Sequence, residues 1–186
     1  MLISISGLSG SGKDTSAQYL SKRGFQIFSW GTALRLHVAQ RFHTPLPTRY
    51  RQAVELVPTY LEADKEWEQA SGFLEQLIAT PASDRDKIYH QNLFRLERIL
   101  LQGTDIVIND TRFLREFDIV RKFGGLNIWL QREERCRDTQ AHDKYLNIEN
   151  FNYVIENNHS LEELYTVWDN ILEKFKQLHS FSNVLH

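Results

Sequence analysis

Gly7-Leu8-Ser9-Gly10-Ser11-Gly12-Lys13 is a complete G-x-x-x-x-G-K phosphate loop. It stands between an apolar run, Leu2-Ile3-Ser4-Ile5-Ser6, and a helical pattern that ends near Arg23-Gly24. Strand, glycine loop, then helix is the context this motif needs to work. Glycines let successive backbone N–H groups curl around a polyphosphate, and the helix N-terminus adds its dipole. Ser9, Gly10, Ser11, Gly12, Lys13, Asp14 and Thr15 are therefore the expected nucleotide-binding residues. The Lys13 ammonium is expected on the β- and γ-phosphates of a nucleoside triphosphate.

One position departs from the common pattern. The residue after the lysine, usually a Ser or Thr that binds magnesium, is Asp14. A bare carboxylate beside a triphosphate repels it by roughly a few kcal/mol in a medium of intermediate dielectric. A divalent cation between them removes that repulsion, and a carboxylate is a hard oxygen ligand suited to Mg²⁺. The plainer reading is that Asp14 points away and caps the helix. Thr15 then faces the α-phosphate.

Short apolar segments alternate with amphipathic helices along the chain, the pattern of βαβ units around a parallel sheet. After Gly24, read as a helix C-cap, residues 25–29 are expected as a strand. Residues 31–102 carry helical pattern broken at Pro45, Pro47, Pro58 and Pro81, an insertion large enough to hold a second substrate. Residues 105–109 resume the sheet, and a helix with Phe113, Phe117, Val120 and Phe123 at helical spacing runs to Gly124-Gly125. Residues 126–130 and 153–155 complete the strands. Ser160 opens the last helix as its N-cap with Glu163 in a capping box. Leu161, Leu164, Trp168, Ile171 and Phe175 line one face of that helix, with fraying expected after His179.

Size and composition agree with a single domain: 186 residues, 41% hydrophobic and 25% charged. A net charge of −2 gives no general basic field, so duplex nucleic acid is not an expected partner. Cys136 is the sole cysteine, which excludes an intrachain disulfide and a cysteine zinc site. No basic leader or membrane-spanning run is evident, so a cytoplasmic enzyme is expected.

Asp110 ends an apolar strand, where open α/β sheets place their ligands. Its carboxylate there could share Mg²⁺ with Asp14 or orient the acceptor oxygen, or it could cap the helix beginning near Phe113. Arg112 could clamp an acceptor phosphate, or pair on the surface with Glu116. Arg132, Arg135 and Arg137 follow the strand at 126–130. They read as a lid over the transferring phosphoryl group, or as a solvated charge run with Glu133, Glu134 and Asp138. In the insertion, Trp30, Arg35, Arg49, Arg51, Arg95 and Arg98 are candidates for the acceptor's base and phosphate.

Gly10-Ser11-Gly12-Lys13-Asp14-Thr15 resembles the loop of phage-type deoxynucleoside monophosphate kinases, which carry Gly-Lys-Asp-Thr. Phe28-Ser29-Trp30-Gly31-Thr32-Ala33-Leu34-Arg35 is similar to that family's Ser-Phe-Ala-x-x-Leu-Lys segment, where the basic residue faces the acceptor nucleotide. Trp30-Gly31 stands in place of the usual Phe-Ala, and Arg35 where lysine is common. Leu101-Gln102-Gly103-Thr104-Asp105 resembles a Gln-x-x-Gly-Thr-Asp segment. Residues 108–116 resemble the strand-end Asp-x-Arg-Phe-x-x-Glu, and 151–158 the closing segment that contains Asn157. Ala141-His142-Asp143 only faintly echoes the family's segment after the lid.

The resemblance implies a P-loop kinase fold, with a parallel five-stranded sheet flanked by helices, spanning residues 1–186 as one domain. Its core would comprise 1–30 and 103–180, its helical acceptor-binding insertion about 31–102, and its lid about 132–147. The implied reaction moves the γ-phosphoryl group of ATP to a (deoxy)nucleoside monophosphate, with Mg²⁺. Lys13, Asp110, Arg132, Arg135 and Arg137 would be catalytic, and Asn157 would join the donor site. Trp30, Arg35, Arg98 and Arg112 would hold the acceptor, and Asp14 with Asp110 the metal. A homodimer is compatible with this reading. The alternatives are a P-loop kinase for another phosphorylated acceptor, of the phosphomevalonate or dephospho-coenzyme A kind, and an ATPase switch with no small acceptor.

Overall fold

The computed structural model describes residues 1–43, 76, 78–132 and 148–182. Residues 44–75 and 77 of the expected insertion, and all of the lid beyond Arg132, lie outside these residues. So do Arg49, Arg51, Arg135, Arg137 and the segment 141–143. Among the described residues the order is β1 (Leu2–Ser6), α1 (Lys13–Ser21), β2 (Gln26–Phe28), α2 (Trp30–Arg41), α3 (Ala82–Leu101) and β3 (Ile106–Ile108). There follow α4 (Leu114–Lys122), β4 (Leu126–Gln131), a 3₁₀ turn (Ile148–Asn150), β5 (Tyr153–Glu156) and α5 (Leu161–Ser182).

The five strands form one sheet in the order β2-β3-β1-β4-β5, and every pairing is parallel. Ile3 at the centre sits opposite Val107 on one side and Leu126 on the other. Parallel sheets are buried on both faces, and this one follows the rule. Ile3, Ile5, Ile27, Val107, Ile128, Leu130 and Ile155 point to the face covered by α1 and α5, around Leu20, Leu164 and Trp168. Leu2, Phe28, Ile106 and Ile108 point to the other, under Trp30 of α2, Leu96 and Ile99 of α3, and Val120 of α4. The period of two along each strand thus divides one apolar run between two half-cores.

Element types match the sequence reading, and the differences lie at the ends. β2 gives up Ser29, because α2 starts at once with Trp30. β3 loses Asp105, whose carboxylate accepts from the Met1 amino terminus, and Asn109, which turns toward α1. Phe113 is the exposed N-cap of α4 rather than part of its apolar face, while Phe117 and Val120 are fully buried. Leu161 is exposed, so the buried face of α5 begins at Leu164. The Ser160 hydroxyl accepts from the Glu163 N–H at 3.2 Å, as a cap should. The helix then continues to Ser182, three residues past the expected fraying point.

Candidate active site

The phosphate loop leaves β1 at Gly7, and its path is set by close approach. A Cβ on Gly7 would lie 2.3 Å from the Leu130 carbonyl oxygen and 2.6 Å from Ser11 Oγ. Gly12, the N-cap of α1, has φ 99°, and a Cβ there would meet Asn157 Nδ2 at 2.5 Å. Both positions therefore exclude any side chain. Asn157 Nδ2 donates to the Ser11 carbonyl at 2.8 Å, and the Asn157 N–H donates to Gln131 O at 2.7 Å. The strand end after β5 thus fastens the loop from outside. Lys13 Nζ donates to the Gly7 and Leu8 carbonyls at 2.7 and 2.8 Å, closing the ammonium over the loop. Ser11 Oγ is buried with no hydrogen-bond partner among the described residues, a polar group suited to an anion in the cradle.

The end of β3 does the joining. Asn109 Nδ2 donates to Asp14 Oδ1 at 2.6 Å, which aims that carboxylate from the first turn of α1. Asp14 stands in the first turn of α1, whose N-cap is Gly12. Asp110 turns the other way. Its Oδ1 accepts from the Trp30 N–H at 3.0 Å, and its Oδ2 from the Gly31 N–H at 2.9 Å and Ser29 Oγ at 2.6 Å. Asp110 therefore caps α2, not α4, and three of the roughly four acceptor directions of its carboxylate are used. Thr111 completes the joint: its carbonyl accepts from Ser6 Oγ at 2.8 Å and its hydroxyl from Trp30 Nε1 at 3.3 Å.

Trp30 does not present its ring as an acceptor platform. It is 6% exposed, with Phe28 edge-on at 5.3 Å and Tyr89 stacked at 6.1 Å. The Arg115 guanidinium covers Tyr89 at 3.9 Å, so the aromatic faces are used in a column from β2 to α4. Asn92 of α3 donates to the Trp30 carbonyl at 2.9 Å and ties α3 to the same place. Arg35 reaches back over the first turn of α2, beside Asp110. Arg98 is exposed in the last turn of α3, which feeds the start of β3, so it belongs to the opposite sheet edge from Asp110. Arg132, just beyond β4, is half-buried at the loop's edge of the sheet.

Glu116 is the residue sequence reasoning undervalued. The sequence offered it only as an alternative surface partner of Arg112; it is 5% exposed, and its Oε2 accepts the main-chain N–H of Arg112 at 2.7 Å and of Phe113 at 3.1 Å. Its position three residues after the Phe113 N-cap was the available signal, because a carboxylate there reaches back to the N-cap N–H. Burial pushes its carboxyl up to about 7. The two N–H donors and Arg115 oppose the rise, and the charge of Asp110 adds to it.

Residues 83–167 match the family model of deoxynucleotide monophosphate kinases. Over that stretch the chain is similar to deoxynucleotide monophosphate kinases. The matched stretch holds Asp110, Arg112, Glu116 and Asn157, while the phosphate loop stands outside it and is carried by its own motif and geometry. No curated protein sequence matches the chain. Among solved structures, the dephospho-CoA kinase from Campylobacter jejuni is similar at 12% identity and TM-score 0.54, covering 96% of this chain and 98% of its own. TT1252 from Thermus thermophilus aligns at 20% identity and TM-score 0.47 over 94% and 97% of the two chains. The shikimate kinase from Bacteroides thetaiotaomicron aligns at 11% and 0.47 over 93% and 98%. The likeness to the dephospho-CoA kinase shows the fold, that of P-loop kinases.

The raised carboxyl of Glu116 gives a pH signature. From pH 4.5, its unperturbed value, up to about 7, the folded chain holds this proton more tightly than the unfolded chain. Stability from this group is therefore full below that range and falls as pH rises through it, by up to about 1.4 kcal/mol per pH unit. Glu116→Gln retains an acceptor for the two N–H groups and does not titrate. Urea denaturation of both proteins between about pH 5 and 8 should give a stability difference that changes up to pH 7 and then levels. A pH-independent difference would mean that Glu116 titrates normally.

Proposed function

We propose that this kinase moves the γ-phosphoryl group of ATP to a deoxynucleoside or ribonucleoside monophosphate, giving the diphosphate. One observation carries the reading: consecutive residues at the end of β3 hold two helix N-termini, Asn109 that of α1 and Asp110 that of α2. Each terminus offers N–H groups without intrahelical partners and the positive end of a helix dipole. One serves the loop for a donor polyphosphate. The other carries Arg35, whose planar fork suits the phosphate of an acceptor.

On the donor side Lys13 and the loop amides take the β- and γ-phosphates, and Ser9, Ser11 and Thr15 add hydroxyls. Asn157 keeps the Ser11 carbonyl turned onto itself, so that the loop presents donors to the phosphates. Asp14, aimed by Asn109, is the protein ligand for Mg²⁺, directly or through one water. Among the described residues no group of three acidic, His or Cys side chains could hold a metal. That fits an ion bound by one carboxylate, phosphate oxygens and water. An ion held by Asp14 would supply the positive charge that neutralises the phosphate oxygens.

Asp110 is assigned to building the acceptor side rather than to the metal, because α2 occupies its oxygens. Arg112 completes the acceptor grip, with its main chain held by Glu116. Arg132, with Arg135 and Arg137 beyond the described residues, supplies lid cations for the equatorial oxygens in the transition state. Positioning and charge neutralisation then suffice without a covalent intermediate. Among the described residues no helix is long and apolar enough to cross a membrane, and we assign the enzyme to the cytoplasm, where ATP is abundant.

ATP consumption against a panel of ribo- and deoxyribonucleoside monophosphates tests the reading. Turnover should require one of them, and Lys13→Ala should lower kcat by about a hundredfold or more. ATP hydrolysis that ignores every monophosphate would overturn it. A magnesium titration tests Asp14 separately. Asp14→Asn keeps the bond from Asn109 and loses the charge, so half-maximal rate should need considerably more Mg²⁺. Asp14→Ser, with a hydroxyl ligand, should outperform Asp14→Ala. An unchanged Mg²⁺ requirement in all three variants removes Asp14 from the metal site.

A further inference from the structure

We propose that Gly31 is a positioning residue of the acceptor site, opening on the first turn of α2 the space in which the Arg35 guanidinium lies beside Asp110. The inference rests on the reading of Arg35 as a holder of the acceptor phosphate. Gly31 is the second residue of α2, and its backbone is not among the positive-φ glycines. No left-handed conformation therefore explains it, and glycine inside a helix is a poorer choice than alanine. What explains it is contact. A Cβ on Gly31 would lie 2.7 Å from Arg35 Nη1, 3.5 Å from Arg35 Cζ and 3.3 Å from Asp110 Oδ2.

The direction of the arginine follows from helix geometry. Side chains lean toward the N-terminus and cover the turn four residues back, so Arg35 runs over Gly31. There its cation sits at the positive end of the helix dipole, a site that favours anions and disfavours cations. The Asp110 carboxylate, bonded to the Gly31 N–H at 2.9 Å, supplies the compensating charge. A planar guanidinium held against bare backbone in this way presents its fork in a fixed orientation, which bidentate recognition of phosphate requires. A methyl group at Gly31 would lift it out of that orientation. Because the nearest atoms belong to the far end of a flexible side chain, the fold accommodates the methyl by moving the arginine.

Four variants test this: Gly31→Ala, Arg35→Lys, the double variant and Arg35→Ala. The probe is whichever of dAMP, dCMP, dGMP and dTMP the wild-type enzyme uses with the highest kcat/KM. Gly31→Ala should melt at or above the wild-type temperature and keep its KM for ATP. Its KM for the monophosphate should rise by about tenfold, as expected for a misplaced charge-assisted hydrogen bond, with kcat much less affected. In the Arg35→Lys background the same alanine should add nothing, because a lysine lacks the planar group that the methyl displaces. Three results would overturn the inference: an unchanged monophosphate KM in Gly31→Ala, a lowered melting temperature, or an equal KM increase in the lysine background. Arg35→Ala separates the two levels: a normal monophosphate KM there refutes the role of Arg35 itself. A raised KM in Arg35→Ala beside a normal one in Gly31→Ala refutes only the role of the glycine.

Discussion

Three consecutive residues at the end of β3 hold the two halves of the site in register. Asn109 bonds to the first turn of α1, Asp110 to the first turn of α2, and Thr111 to both β1 and the Trp30 indole. β3 can do this because it lies between β2 and β1 and runs parallel to both, so all three strands deliver their ends to the same edge. A carboxylate brought into that partly buried position is tolerated only with donors around it. The first N–H groups of α2 and the Ser29 hydroxyl are those donors. The demands of Asp110 and of the helix terminus cancel each other.

The other half of the sheet fixes the loop. Gly7 and Gly12 are glycine because β4 and the residue after β5 pass too close for a side chain. Asn157 makes use of that closeness, its amide lying where a Cβ of Gly12 would otherwise be. The loop is thus shaped from behind by Leu130 and Asn157 and closed from the front by Lys13, two constraints from opposite ends of the chain.

The sequence was legible where the signal is local. A contiguous motif defined the loop, short apolar runs defined the strands, and Ser160 marked the last helix. It was less legible where a residue's role depends on which distant backbone it meets. Asp110 looked like a cap for the helix following it, yet the parallel crossover brings α2 to it from eighty residues away in sequence. Trp30 looked like a platform, because nothing local says that Tyr89 and Phe28 close over its faces. Arg98 carried the right charge, but the direction of α3 sets it at the wrong edge. Glu116 had a readable spacing to its cap, whereas its burial depends on how α4 lies against the sheet.

The column of Phe28, Trp30 and Tyr89 has an optical consequence. The Trp30 indole donates to Thr111 in the same joint that holds Asp110, so its emission depends on that one hydrogen bond and on the polarity beside it. Trp168 lies on the other face of the sheet, fully buried, its Nε1 with no partner among the described residues, in surroundings that give blue, constant emission. The fold therefore contains an intrinsic fluorophore at the joint and an insulated reference behind the sheet. Motion of α2 against β3 would change the emission of Trp30 and leave that of Trp168, two of the chain's four tryptophans.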